Sequence, residues 1–205
     1  MEEFLTALGL SFAALIPLIN PVGAIPVFCT LTAETTSSQR RKMALKTSLN
    51  VLIILLVFYF IGEFLLEFFG ISLGVLKIAG GLIVAHTAWE MLTSKGKLSE
   101  DESSEIKEKE DISFTPMALP LLSGPGAIGV AIGLSIQGTH IDYTIGIAIG
   151  IFLIAVTVYA ALLLATPLFK LLGKTGVGVL NRIMGFFILA IAVQLIVNGI
   201  LMLFK

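Results

Sequence analysis

A nine-residue phrase occurs twice in this chain, each time inside a long apolar run. The first copy is Pro17-Leu18-Ile19-Asn20-Pro21-Val22-Gly23-Ala24-Ile25; the second is Pro120-Leu121-Leu122-Ser123-Gly124-Pro125-Gly126-Ala127-Ile128. A shift of 103 positions lays Pro on Pro, Leu on Leu and Gly-Ala-Ile on Gly-Ala-Ile. Proline brings no N–H and collides with the preceding helical turn, and glycine admits backbone angles other residues avoid. Each run is therefore a helix that breaks. At bilayer depth a break is tolerated only where neighbouring protein or a wet cavity satisfies the freed backbone groups. Paired breaks at corresponding places in two halves point to a ligand site between them.

Composition supports the membrane reading. Of 205 residues, 57% are hydrophobic and only 13% charged, where soluble domains have about 25% charged residues. The mean hydropathy is +1.01. Cys29 is the only cysteine, which excludes an internal disulfide and any cysteine-rich metal site. The start, Met1-Glu2-Glu3, lacks the positive flank of a secretory signal, so the first apolar run reads as a retained span.

Six runs are long enough to cross a bilayer: roughly 4–31, 47–69, 72–93, 114–137, 143–168 and 178–204. The expected fold is an all-α membrane protein of six helices, with helices 1 and 4 broken near the midplane. Residues 1–93 form one three-helix unit, 94–113 a charged loop and 114–205 a second unit. The halves match beyond the breaks. At a shift of 104, Gly74-Val75-Leu76 falls on Gly178-Val179-Leu180, Gly81 on Gly185 and Ala88 on Ala192. Three is odd, so a second copy enters from the opposite side, and the repeat is expected to be inverted.

Basic residues set the orientation. Arg40, Arg41, Lys42 and Lys46 follow span one; Lys95, Lys97, Lys107 and Lys109 follow span three. Lys170, Lys174 and Arg182 lie around the turn into span six, which leaves Lys77 and Lys205 on the other side. The positive-inside rule places the loops after spans one, three and five in the cytoplasm and both termini outside.

Each break should present half-helix carbonyl ends near Leu18–Ile19 and Leu121–Leu122. Free N–H groups are expected near Gly23–Ala24 and Gly126–Ala127. Partly positive and partly negative helix ends side by side suit a zwitterion. No Asp, Glu, Lys or Arg lies within either break, so charged side chains would go uncompensated there. The expected ligand is a small neutral amino acid. The expected contacts are Asn20, Pro21, Gly23 and Ala24 with Ser123, Gly124, Pro125 and Gly126. The other reading of the same residues is a pair of packing kinks.

The phrases Ile16-Pro17-Leu18-Ile19-Asn20-Pro21-Val22-Gly23 and Leu119-Pro120-Leu121-Leu122-Ser123-Gly124-Pro125-Gly126, in a six-span chain of this length, closely resemble the MarC family. That family includes the SnatA-type small neutral amino acid transporters. The resemblance covers essentially the whole chain. It implies transport of glycine, alanine and similar amino acids across the cytoplasmic membrane, coupled to the proton gradient.

His86 lies within the third span and is either a proton carrier for such coupling or a neutral histidine bonded to a neighbouring helix. Asn50, Gln194 and Asn198 read as interhelical hydrogen-bonders, and Gly129-x-x-x-Gly133 and Gly146-x-x-x-Gly150 as sites of close helix approach. An enzyme is not expected. The only histidines are His86 and His140, and neither His-Glu-x-x-His nor Gly-x-Ser-x-Gly occurs. No cofactor, metal or nucleic-acid partner is expected; the partners are the bilayer and the substrate. The rival classes are a passive channel or facilitator and a structural membrane protein without transport.

Overall fold

The structure is a computed structural model that describes residues 1–93, 111–138 and 140–204, with Lys174 described by its backbone alone. Most of the loop expected at 94–113, with its four lysines, lies outside the described residues, as does Lys205. The described residues form eight helical segments and no strand: α1 Glu2–Ile19, α2 Ala24–Leu31, α3 Ser37–Phe69, α4 Leu73–Thr93, α5 Ser113–Leu122, α6 Pro125–Ser135, α7 Ile141–Leu163 and α8 Ala165–Leu203. Five helices are long and apolar enough to cross a membrane, and a sixth span arises if α5 and α6, bent by 70°, are counted as one.

Span boundaries moved where local chemistry overrides hydropathy. The second run was expected from 47, but α3 starts at Ser37. Thr36 and Gln39 form a reciprocal capping box there, with Gln39 N–H on Thr36 Oγ1 at 3.3 Å and Thr36 N–H on Gln39 Oε1 at 2.9 Å. At 33 residues, α3 rises roughly 50 Å and outruns a hydrocarbon core of about 30 Å. It ends at Gly70, whose φ of 63° closes the helix in the left-handed region. The fifth run was expected to 168, but α7 stops at Leu163. A short helical stretch follows to Gly173, whose φ of 64° turns the chain into the last span.

Between helices in lipid there is little hydrophobic drive, so small residues that let backbones approach decide the packing. Gly146 and Gly150 seat α7 on α1; a Cβ on Gly146 would stand 2.6 Å from the Phe4 carbonyl oxygen. Gly62 of α3 lies against Ile132 of α6, and Gly129 and Gly133 of α6 face Leu76, Lys77 and Leu73 of α4. The buried core runs through α1, α2, α3, α5, α6 and α7, with Leu15, Ile19, Leu55, Met117, Leu122, Ile151 and Ile154 fully or almost fully buried.

The pair α4–α8 flanks this core, zipped by small residues at heptad spacing. A Cβ on Gly74 would stand 2.9 Å from the Gly199 oxygen, one on Gly81 2.9 Å from the Ala192 oxygen, and one on Gly185 3.2 Å from the Ala88 oxygen. Positions rise along α4 as they fall along α8, so the helices are antiparallel. The contacts are also reciprocal: Gly81 meets Ala192, and Gly185, its counterpart at the shift of 104, meets Ala88.

Candidate functional site

The two breaks were expected to offer the same groups. They do not.

At the first break α1 ends on Asn20, the one non-glycine residue with positive φ among those described (φ 43°, ψ 62°). Asparagine tolerates this conformation because its short carboxamide bonds locally. Asn20 N–H donates to the Ile16 oxygen at 3.0 Å, Gly23 N–H to Asn20 Oδ1 at 3.1 Å, Ala24 N–H to the Asn20 oxygen at 3.3 Å and Ile25 N–H to the Val22 oxygen at 3.2 Å. The free N–H groups expected at Gly23 and Ala24 are therefore already used. One asparagine caps both half-helices. Gly23 is needed because a Cβ there would overlap the Asn20 carboxamide. The Asn20 carboxamide nitrogen, Nδ2, donates to Met91 Sδ of α4 at 3.9 Å.

At the second break the approach is distorted. Thr115 and Leu119, each preceding a proline, are extended, and proline disfavours helical angles in the residue before it. Met117 and Ser123 donate to carbonyls five residues back, Ser123 N–H to the Ala118 oxygen at 2.7 Å. Helix α6 then starts at Gly124–Pro125 with no side-chain cap. Among the described residues the Gly126 and Ala127 amides have no partner outside the helix. Beside them Ser123 is fully buried, and its Oγ bonds to nothing. A buried polar group without a partner is rare and asks for a reason.

The remaining expected contacts fall around these groups. Pro21, Ala24 and Gly126 are buried and Gly124 half-buried, while Pro125 is exposed and shapes the start of α6 from outside. Ile19, Ala24, Leu122 and Ala127 share one buried cluster, so both breaks border the same core. Helix α4 touches both. Gly80 lies against Pro125 and Gly126, where a Cβ would stand 3.8 Å from the Gly126 Cα, and Val84 fills the space a Gly126 side chain would need. Gly80 and Met91 are eleven residues apart, roughly 16 Å of helical rise. The breaks thus meet α4 at different heights, one on each side of its middle, rather than at one level. Gly80 was missed in the sequence, although the Gly80-Gly81 pair signals a helix approached closely from two sides.

His86 is not in this core. Its side chain is 73% exposed on the outer side of α4, with Nδ1 3.7 Å from Glu90 Oε1 one turn on, and it bonds to no neighbouring helix. Gln194 and Asn198 likewise bond each other within α8 at 2.8 Å, both exposed, rather than across helices. Asn50 lines a surface cleft of about 500 Å³ between α3 and α5 with Lys46, Asp111 and Phe114. A second cleft of about 380 Å³ lies at the α3–α4 turn around Glu63, Glu67 and Ser72. Neither reaches the breaks. No metal-ligating cluster occurs among the described residues.

Comparison with known proteins agrees with this architecture. The sequence matches the MarC family integral membrane protein description over residues 5–204. It is 40% identical over 194 residues to the UPF0056 membrane protein YhcE of Escherichia coli (strain K12), covering 92% of this chain and 89% of that one. It is 35% identical over 218 residues to the UPF0056 inner membrane protein MarC of Escherichia coli (strain SMS-3-5 / SECEC), covering 100% and 99%. A UPF0056 membrane protein of Methanocaldococcus jannaschii is 37% identical over 93% of this chain and 94% of its own. No solved structure matches. On family match and architecture together, this chain belongs to the MarC family of multi-pass integral membrane proteins.

Proposed function

We propose that the protein is a secondary transporter of small neutral amino acids in the cytoplasmic membrane, built as two inverted three-helix repeats. The repeat reading is supported by the reciprocal antiparallel contacts of α4 and α8, since such exchange follows from a two-fold axis perpendicular to both helices. If the helices cross the bilayer, that axis lies in its plane. The E. coli relative named an inner membrane protein supports the location, and the basic loops support an orientation with both termini outside.

The observation that carries the function is the buried, unbonded Ser123 hydroxyl beside the uncapped start of α6. A carboxylate docked there would take the Gly126 and Ala127 amides and the Ser123 hydroxyl, with the helix dipole in its favour. The ammonium would turn toward carbonyl ends of α1 and α5, and the small residues Gly124, Gly126 and Ala127, with Val84 packed on Gly126, would admit only a short side chain. Asn20, Pro21, Gly23 and Ala24 border the same buried core and would close the site from a different level along α4. Alternating access would come from the two halves rocking around this region. Coupling to protons is part of the resemblance. His86 lies on the helix that touches both breaks, so it would act through α4 rather than on the substrate.

The test is uptake of labelled glycine and alanine into liposomes holding the purified protein, with and without an inward proton gradient. Accumulation that a protonophore abolishes is the expected result. Equilibration without accumulation would make the protein a facilitator, and flux no greater than in empty liposomes would leave the breaks as packing kinks.

A further inference from the structure

Arg40 joins three elements at one end of the molecule. It belongs to the first turns of α3. Its Nη2 donates to the Thr32 oxygen at the end of α2, at 2.8 Å, and its Nη1 to Thr166 Oγ1 in the first turn of α8, at 2.7 Å. Thr32 is fully buried, and its hydroxyl is spent on the Phe28 oxygen at 2.7 Å. The ion pairs among the described residues involve other groups, so this cation is held by neutral oxygens and by the negative end of a helix. Its Nε–H is buried with no partner. Such a set of bonds can be exchanged for water without stranding a buried counter-charge, which an ion pair could not do. Cys29, one turn before Thr32, lies beside both Thr166 and Arg40.

The opposite end is built differently. At the shift of 103, Tyr143 stands where Arg40 does, and its hydroxyl is buried without a partner. Ser135 stands where Thr32 does and bonds only the Ile132 oxygen of its own turn, at 2.8 Å. One end is tied by a fork; the other is only packed.

We propose that Arg40 is the cytoplasmic gate latch of this transporter, holding α2 against α3 and α8 while the substrate site faces outward and letting go when it turns inward. This rests on the transport reading above, but its test does not need transport. In nanodiscs, where both faces are accessible, a membrane-impermeant maleimide should label Cys29 slowly in the wild type and at least about tenfold faster in Arg40→Gln. Arg40→Lys should fall between, because one ammonium cannot span both oxygens as a fork does. Arg41→Gln should match the wild type, since Arg41 reaches only Tyr159. Should Arg40→Gln fail to fold, Thr166→Val, which removes one bond, should still accelerate labelling.

The decisive arm is a Ser135→Cys reporter in a Cys29→Ser background: opening one end should close the other, so Arg40→Gln should slow its labelling. Equal Cys29 rates in wild type and Arg40→Gln, or in the Thr166→Val fallback, overturn the latch. An unchanged rate at Ser135→Cys also overturns it, by showing local fraying. Absent amino acid uptake alongside the expected labelling would sink the substrate and leave the latch standing.

Discussion

The two breaks share five identical residues in nine and still expose opposite chemistry. At the first, Asn20 adopts a left-handed conformation and turns its carboxamide forward onto Gly23, so the start of α2 arrives already capped. At the second, serine stands in the asparagine's place. Its backbone is not left-handed (φ −99°, ψ 60°), its Oγ meets no amide, and the start of α6 keeps its donors. A duplicated motif is therefore not a duplicated site. One copy is a closed corner and the other leaves amides and a buried hydroxyl unbonded, and the backbone at the matched positions, left-handed at Asn20 and not at Ser123, goes with the difference.

The largest effect should come from filling the second break. A Cβ on Gly126 already overlaps Val84, so Gly126→Leu should lower amino acid uptake at least about tenfold, equivalent to about 1.4 kcal/mol. Its expression and melting temperature are measured beside uptake, because the leucine also displaces Val84 of α4. Gly80→Ala approaches the same seam from α4, where its Cβ would meet the Pro125 oxygen at an ordinary 3.6 Å, and should transport nearly as the wild type does. Undiminished uptake in a well-expressed Gly126→Leu would remove the site from this break.

The next test separates the corner from the proposed site by sign. Ser123→Ala should raise the glycine KM about tenfold, the loss of one charge-assisted hydrogen bond of about 1.5 kcal/mol. It should not lower the melting temperature, because the deleted hydroxyl bonds to nothing in the folded protein. Asn20→Ala should do the reverse, destabilising by about 1 kcal/mol through the lost cap and the strained φ while changing KM less. If both variants lower stability and leave KM alone, the comparison between the breaks is wrong.

Much of this architecture was legible in the chain. Run length and hydropathy located the spans, and Pro with Gly located both breaks, because those residues act on the backbone wherever they stand. The glycines of α4 and α8 were visible as matched positions, and the structure turns them into mutual contacts. What did not show was whether a given N–H is satisfied. That depends on the local backbone angle, left-handed at Asn20 and not at Ser123, and the two residues look interchangeable in a polarity pattern. The outward placement of His86 was also hidden, since a helix nearly uniform in hydropathy does not say which face meets lipid. Arg40 was visible only as one of eleven basic residues on one side; its link to Thr166, far along the chain, needed the fold.

The smallest effect concerns how the second broken span is anchored. Asp111 accepts the Ser113 N–H at 3.0 Å and pairs with Lys46 of α3, while Ser113 Oγ donates to the Met43 oxygen at 3.3 Å. The bonds from Lys46 and Ser113 hold the Asp111 carboxyl down to about 2. A carboxyl held lower in the folded state than in the unfolded one adds stability above the unfolded value, near 4, and that stability disappears as pH falls through the folded value. The window is therefore about pH 4 down to 2. The pair is nearly half exposed, so water screens it and the contribution stays below about 1 kcal/mol. The melting temperature of the wild type should exceed that of Asp111→Asn slightly at pH 6, with the gap closing by pH 2 to 3. Asn20→Ala should lose the same amount at both pH values. A gap between wild type and Asp111→Asn that persists at low pH would mean that Asp111 holds α5 by shape rather than by charge, and the asymmetry would then reside in the breaks alone.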